Sequence, residues 1–479
     1  MQFIARAPTV TQLYLDGCVG IDDDCLYHIR GNHAIARLSL SGCINVSSRG
    51  LARSVANFHA IRSLSLNSCW NVGELSFLGG LRQLEALSLG WCYNVNDDSV
   101  GVLRGLARLR SLDISKTNIG NRGIREIFGD RAEDAAAGAP APCLVELKLD
   151  GCNVTGESLQ VLGRSRRTRG LRDLSLQWCL ITDANLAHLS PLDRLASLNL
   201  SYTQVSCAGM RHVARLPRLA SLKLDSCNIG DAAVQHLASG GTGAGSGGRS
   251  GGAAGITELD LSDTSISNLG LKLITDNMPH MRTLNLSYTA INDDGVEHLR
   301  GLHGLTSLNL DSPTISDQSL HHVSGLSSIR HLDLFGSKIT DAGLKLICTL
   351  TFSNIRSLEV CGGGVTDVGV MYISLFMLRL ESLNLANNSR ISDDAMVSIG
   401  ALRGLRHLNL THSRVTGEGI MRLVRLQRLE SLSVHECKIN KSALARLQLC
   451  IPSLRSVGAM NMKSAAGGGL TFSSLFDLR

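Results

Sequence analysis

The stretch Ile329–Ile347, IRHLDLFGSKITDAGLKLI, decides the fold, because most of the remaining chain is this unit rewritten. Leu332 and Leu334 alternate with His331 and Asp333, the period-two pattern of a short strand with one buried face. Ile339 turns the chain inward. Thr340 and Asp341 suit a helix N-cap, and Leu344 and Ile347, three apart, mark one face of a short helix. A strand, a turn and a helix in about two dozen residues cannot bury their apolar faces alone, so the unit must stack on copies of itself.

The copies follow one another along the chain. Leu-x-Leu pairs recur from Leu13 to Leu432, mostly 23 to 27 residues apart, with a degenerate last copy at Val457, giving about eighteen units. Two spacings are longer. One holds the Ala/Pro-rich segment RAEDAAAGAPAP, Arg131–Pro142, and the other the Gly/Ser-rich segment Ser239–Gly255, a flexible linker by composition. Both read as loops, over 130–143 and 239–255, leaving a continuous stack, so one array over 1–459 is expected, with 460–479 as a tail or cap. The opening FIARAPTVTQLYL, Phe3–Leu15, aligns with HVARLPRLASLKL, His212–Leu224, so residues 1–12 form a partial first repeat. A half-built unit exposes a strand edge, and a cap, an end-to-end contact or further upstream sequence is expected there.

The recurring phrase LxSLxLxxCxITDxGLxxL, as in Leu171–Leu186 and Leu219–Val234, resembles the cysteine-containing class of leucine-rich repeats. That class is best known from F-box proteins, the substrate receptors of cullin-type ubiquitin ligases, and the phrase is also similar to repeats of kinetoplastid and bacterial proteins. The resemblance implies an α/β leucine-rich-repeat solenoid, a horseshoe with a parallel sheet on its concave face and helices on its convex face. It implies protein partners too. Only about a dozen residues, all repeat-like, precede Leu13, so the F-box that would mark a ligase subunit is not present in this stretch. Two readings follow: a scaffold or adaptor, and a ligase substrate receptor whose F-box lies elsewhere.

Composition agrees with thin aliphatic layers: 44% of the 479 residues are hydrophobic but only 4% aromatic. A net charge of +6 keeps the chain soluble without marking a polyanion binder. No basic and then apolar leader opens it, and no run of eighteen apolar residues occurs, so neither secretion nor a membrane span is expected and the cytoplasm is the expected location. The longest apolar stretch, Val368–Leu378, reads as a core helix. Of the 14 cysteines, eight (Cys18, Cys43, Cys69, Cys92, Cys152, Cys179, Cys227 and Cys437) share one repeat position that Thr takes elsewhere, which points to a packed, reduced thiol.

Large side chains recur where the strands end, at Trp91, Trp178, Tyr202, Tyr288 and Phe335. They read either as anchors for a protein partner or as packing over the neighbouring turn. Arginines recur just before the strands, but acidic residues at the same position in neighbouring units offset most of them. Arg282, Arg330 and Arg356 form a stretch without that compensation and could meet an acidic partner. Arg164–Gly170, RSRRTRG, reads as a solvated loop, and it lacks the interleaved aromatics that stack on nucleic-acid bases. Gly243–Gly248, GAGSGG, matches a dinucleotide-loop pattern but has no strand before it and no helix after it. His407, His412 and His435, with Glu436, lie on two adjacent units and could converge, but a metal site needs three or four donors in tight geometry, so they read as surface histidines. No catalytic set, cofactor, metal or nucleic-acid partner is expected.

Overall fold

The structure, a computed structural model, describes residues 9–56, 58–130, 144–239, 253–350 and 354–458. The two inserted segments, apart from their margins, the GAGSGG run, the first eight residues and the 460–479 tail lie outside the described residues. The chain forms two compact units, Met1–Ile256 and Thr257–Arg479.

Among the described residues of the first unit, nine three-residue strands run from Gln12–Tyr14 to Ser221–Lys223, each parallel to the next. In the second, nine run from Glu258–Asp260 to Ser456–Gly458, again all parallel. The register is set by the first leucine of each pair: Leu13 faces Leu38, Leu87 faces Leu112, Leu332 faces Leu358, and Leu432 faces Val457. These leucines are buried with the second leucines, such as Leu40 and Leu334, which stack behind the sheet. Shifting any strand by one residue would turn its leucines out to solvent, so the alternation alone enforces the pairing.

Helices close the other side of each repeat. Asp341–Leu350 follows Thr340, whose hydroxyl accepts from the Ala342 amide at 3.2 Å. Several units use a 3-10 segment instead, including Ser76–Gly80, Val100–Gly105 and Asp183–Leu189. The tighter winding rises further per residue, so it spans the return path with fewer residues.

The phrase ITDxGL is a device for joining repeats. The Asp in the first helical turn reaches into the next repeat and accepts from the amide and hydroxyl of that repeat's cap residue. Asp293 does so with Ser316 at 2.8 and 2.5 Å, Asp317 with Thr340 at 2.8 and 2.6 Å, and Asp341 with Thr366 at 2.9 and 2.6 Å. The glycine of the phrase makes room for that carboxylate. A Cβ at Gly369 would stand 2.4 Å from Asp341 Oδ1.

The repeated cysteine is a second joint. The thiols of Cys69, Cys92 and Cys179 each donate to the second-leucine carbonyl of the preceding repeat, Leu40, Leu66 and Leu149, at 3.1 Å. Thr203 and Thr289, at the same position, donate within their own repeat, to Leu200 at 2.6 Å and Leu286 at 2.7 Å. Burial pushes the Cys69 and Cys179 thiols up to about 12 and Cys92 to about 11, so they stay protonated and unreactive. At the same repeat position Cys18 is exposed and Cys437 only partly buried.

The expectation for Val368–Leu378 needs correction. The helix Asp367–Phe376 buries only Gly369, Val370, Ile373 and Ser374, while Val368, Met371, Leu375, Phe376 and the following Leu378 are exposed. A helix turns one stripe toward the sheet, and this apolar run is wider than its stripe.

Candidate functional site

At the end of each strand the chain reverses in a four-residue turn closed on the strand's second leucine, for example Cys92 N to Leu89 O at 3.1 Å. The third residue of the turn also donates forward, extending the ladder to the next repeat: Trp91 N to Ser115 O at 2.8 Å and Tyr202 N to Asp225 O at 2.8 Å. Doing both requires positive φ, the left-handed conformation that glycine or asparagine adopts most cheaply. Gly17, Gly42, Gly151 and Asn387 occupy this position as that rule predicts. Trp91 (φ 64°), Trp178 (58°), Tyr202 (58°) and Tyr288 (54°) occupy it too.

A bulky residue held there costs on the order of 1 kcal/mol or more, and about half of each ring still faces solvent. The four side chains are 48, 46, 37 and 60% exposed, in that order. Phe335 stands one position earlier, partly buried, without positive φ.

The first unit gathers three of these rings around a residue that sequence reading passed over. Lys116 holds the same turn position between Trp91 and Trp178, also at positive φ. Its ammonium lies 3.8 Å from the Trp178 ring centroid and 5.7 Å from that of Trp91. The stem crosses Gly151, where a Cβ would collide with it at 2.6 Å. Trp178 and Tyr202 are tilted rings 5.3 Å apart, and Trp91 meets Tyr93 edge to face at 6.1 Å. The shared repeat position was the available signal for Lys116. All three tryptophans of the chain, Trp70 included, are exposed and lie in this unit.

In the second unit, Tyr288 and Phe335 flank Asp311, which hydrogen-bonds the Tyr288 side chain and accepts from Gly336 N at 2.8 Å. Beside it the sheet carries Asp333 and Glu359. Burial, then the neighbouring Glu359 and Asp311 charges, pushes the Asp333 carboxyl well above the usual range; burial also raises Glu359. Asparagine amides cover both: Asn309 donates to Asp333 at 2.9 Å and Asn384 to Glu359 at 2.8 Å.

The arginine stretch is not uniform. Arg356 pairs with Glu381 at 2.7 Å and so leaves the group, whereas Arg282 and Arg330 are exposed and form no ion pair among the described residues. The offsetting expected elsewhere is seen in Arg62 with Glu85 at 2.9 Å and Arg406 with Glu430 at 2.6 Å. In RSRRTRG, Arg167 is structural, donating to Arg104 O at 2.6 Å. His412 and His435 meet edge to face at 6.2 Å, and no cluster able to hold a metal occurs among the described residues.

Two family models, both described as leucine-rich repeat, match the chain, one over residues 279–339 and one over 108–128 and 403–424. With the repeated leucine register and strand–helix units described above, they define the class: the chain is a leucine-rich-repeat protein. Similar solved structures include a leucine-rich-repeat protein of Leptospira interrogans, 16% identical over 96% of this chain and 98% of that one, with a TM-score of 0.46. Others are the Rad7–Elc1 complex of yeast (19% identity, 71% and 84% coverage, TM-score 0.49) and the plant peptide hormone receptor RGFR1 bound to RGF2 (13%, 90% and 86%, 0.37). At these identities the likenesses say nothing about site residues. No curated protein matches the chain. No helix among the described residues is long and apolar enough to cross a membrane.

Proposed function

We propose that this chain is a non-enzymatic scaffold or adaptor, working in the cytoplasm, that binds partner proteins through its sheet face and the turns at the strand ends. The observation that carries this reading is the placement of Trp91, Trp178, Tyr202 and Tyr288 at a left-handed turn position, half exposed, where glycine would be cheaper. A large ring kept on strained backbone and half exposed to solvent makes sense as a contact residue, and aromatic rings supply much of the energy in protein interfaces. Phe335 and the unpaired Arg282 and Arg330 extend the proposed surface in the second unit; Arg356 contributes only if a partner displaces Glu381. A reducing compartment suits the thirteen described cysteines, all free.

The test is the double variant Trp178→Gly/Tyr202→Gly, compared with wild type by affinity purification and quantitative mass spectrometry. Specific partners should be lost at least about tenfold, with stability changed by no more than about 1 kcal/mol, since relief of the backbone strain offsets loss of the Lys116–Trp178 contact. Equal partner recovery, or a stability loss of several kcal/mol as in core truncations, would leave the rings as packing and sink the reading.

A further inference from the structure

At the opposite end of the strands in the first unit, a cleft of about 630 Å³ is lined by four arginines, Arg108, Arg110, Arg172 and Arg194, with Glu85 as its one carboxylate. Small residues create it. Arg110, Val145 and Arg172 hold one repeat position on three successive strands, and Gly170 and Arg194 hold another, so arginine side chains rise on either side of a low floor. The cleft adjoins a second hollow of about 430 Å³ that shares Gly170 and Arg194 and adds Arg169, Pro191 and the carboxylate Asp193.

The backbone beneath is fixed: Val145 N and Glu146 N donate to Arg110 O at 2.7 and 3.0 Å, and Ala196 N to Arg172 O at 2.8 Å. Arg110 and Arg172, two strand spacings apart, therefore stand about 10 Å from each other at their backbones.

The second unit provides an internal control. Its equivalent cleft, also about 630 Å³, holds Arg356, Arg379, Arg406 and Arg428, but Glu381 and Glu430 pair with Arg356 and Arg406, and Arg379 is held by Asn354. In the first unit Glu85 is engaged by Arg62, outside the cleft, and none of the four arginines forms an ion pair among the described residues. Four guanidinium groups facing one carboxylate, itself held by Arg62, leave a net positive cleft that an anionic ligand would neutralise.

We propose that the Arg108–Arg194 cleft binds a phosphate group, free or protein-borne. Guanidinium groups suit this ligand, since each presents paired donors that match phosphate oxygens. The lining has no aromatic ring on which a base could stack, so the phosphate is not presented by single-stranded nucleic acid. The two sources of the group are a phosphorylated protein segment, which would follow the continuation past Gly170, and a small free polyphosphate. The site is separate from the aromatic turns and does not depend on their role.

Binding is measured by calorimetry on the full chain with two probes: inorganic tripolyphosphate, and a random peptide pool with one fixed phosphoserine set against the same pool with serine. Wild type should bind at least one phosphate probe, with affinity falling as salt rises. Arg110→Gln/Arg172→Gln should weaken it about tenfold or more at unchanged thermal stability, while Arg428→Gln in the second cleft should not. Tripolyphosphate alone binding assigns a free ligand; the phosphoserine pool binding assigns a protein-borne one. Failure of both probes, or equal binding by the double variant, overturns the proposal.

Discussion

Lys116 and Trp178 form the tightest contact of the aromatic row, ammonium over indole at 3.8 Å, across a repeat whose own turn residue is Gly151. The stem and the charge can be separated by Lys116→Met, which keeps the length and removes the cation. Loss of the cation–π term should lower stability by about 0.5–1 kcal/mol and change the tryptophan emission. Unaltered emission and unchanged unfolding would mean that the contact is incidental.

The Asp341–Gly369 joint predicts non-additivity. Asp341 accepts three hydrogen bonds from the next repeat, from Thr366 N, Thr366 Oγ1 and Gly369 N. Asp341→Ala should cost about 2 kcal/mol. Gly369→Ala should cost a similar amount, because its new methyl group would meet that carboxylate. In the double variant the methyl enters space the carboxylate has vacated, so the combined loss should fall short of the sum by at least about 0.5 kcal/mol. Simple addition in urea titrations would contradict the geometry.

Asp333 and Glu359 give the second unit a pH dependence opposite to that of an ordinary salt-bridged carboxylate. Their folded-state pKa values are raised, so between the unfolded value of about 4 and the folded one the native state binds more protons than the unfolded state. This stability is fully present below about pH 4 and is lost as pH rises through the folded value. Asp333→Asn keeps an acceptor for Asn309 and removes the charge. The variant should resist urea better than wild type at pH 7.5 and lose that advantage on acidification. An equal difference at both pH values would refute the assignment.

Thiol chemistry should divide the cysteines by repeat context. In the native protein, Cys18 and Cys450, both exposed, should alkylate readily at pH 8, while Cys69, Cys92 and Cys179 should react only on unfolding. Mass spectrometry of peptides after brief iodoacetamide treatment reads the pattern. Rapid native labelling of Cys179 would contradict the buried joint.

The register was written in the sequence as plainly as such a signal can be: each strand from Leu13 to Val457 pairs at the residue its Leu-x-Leu pattern marks. The aromatic positions were visible as a recurrence, but their backbone strain was not. The same turn position carries Ser, Asp, His and Glu as well as Gly, and only the double hydrogen bonding shows that φ must be positive. The arginine cleft was half visible. The recurrence of arginine before the strands was legible, yet not that Arg110 and Arg172 share a hollow, which depends on Val145 and Gly170 between them once the strands are side by side. Val368–Leu378 misled because hydropathy alone does not say how wide a stripe the neighbours can cover.

The capping carboxylates tie the repeats reciprocally. Where Asp293, Asp317 and Asp341 bind the helix start of the repeat that follows, each carboxylate depends on that repeat as much as the repeat depends on it. Melting a repeat here strips a carboxylate from its C-terminal neighbour and leaves the carboxylate of its N-terminal neighbour without partners. Damage in this part of the chain should therefore spread both ways, as when one link of a chain is cut.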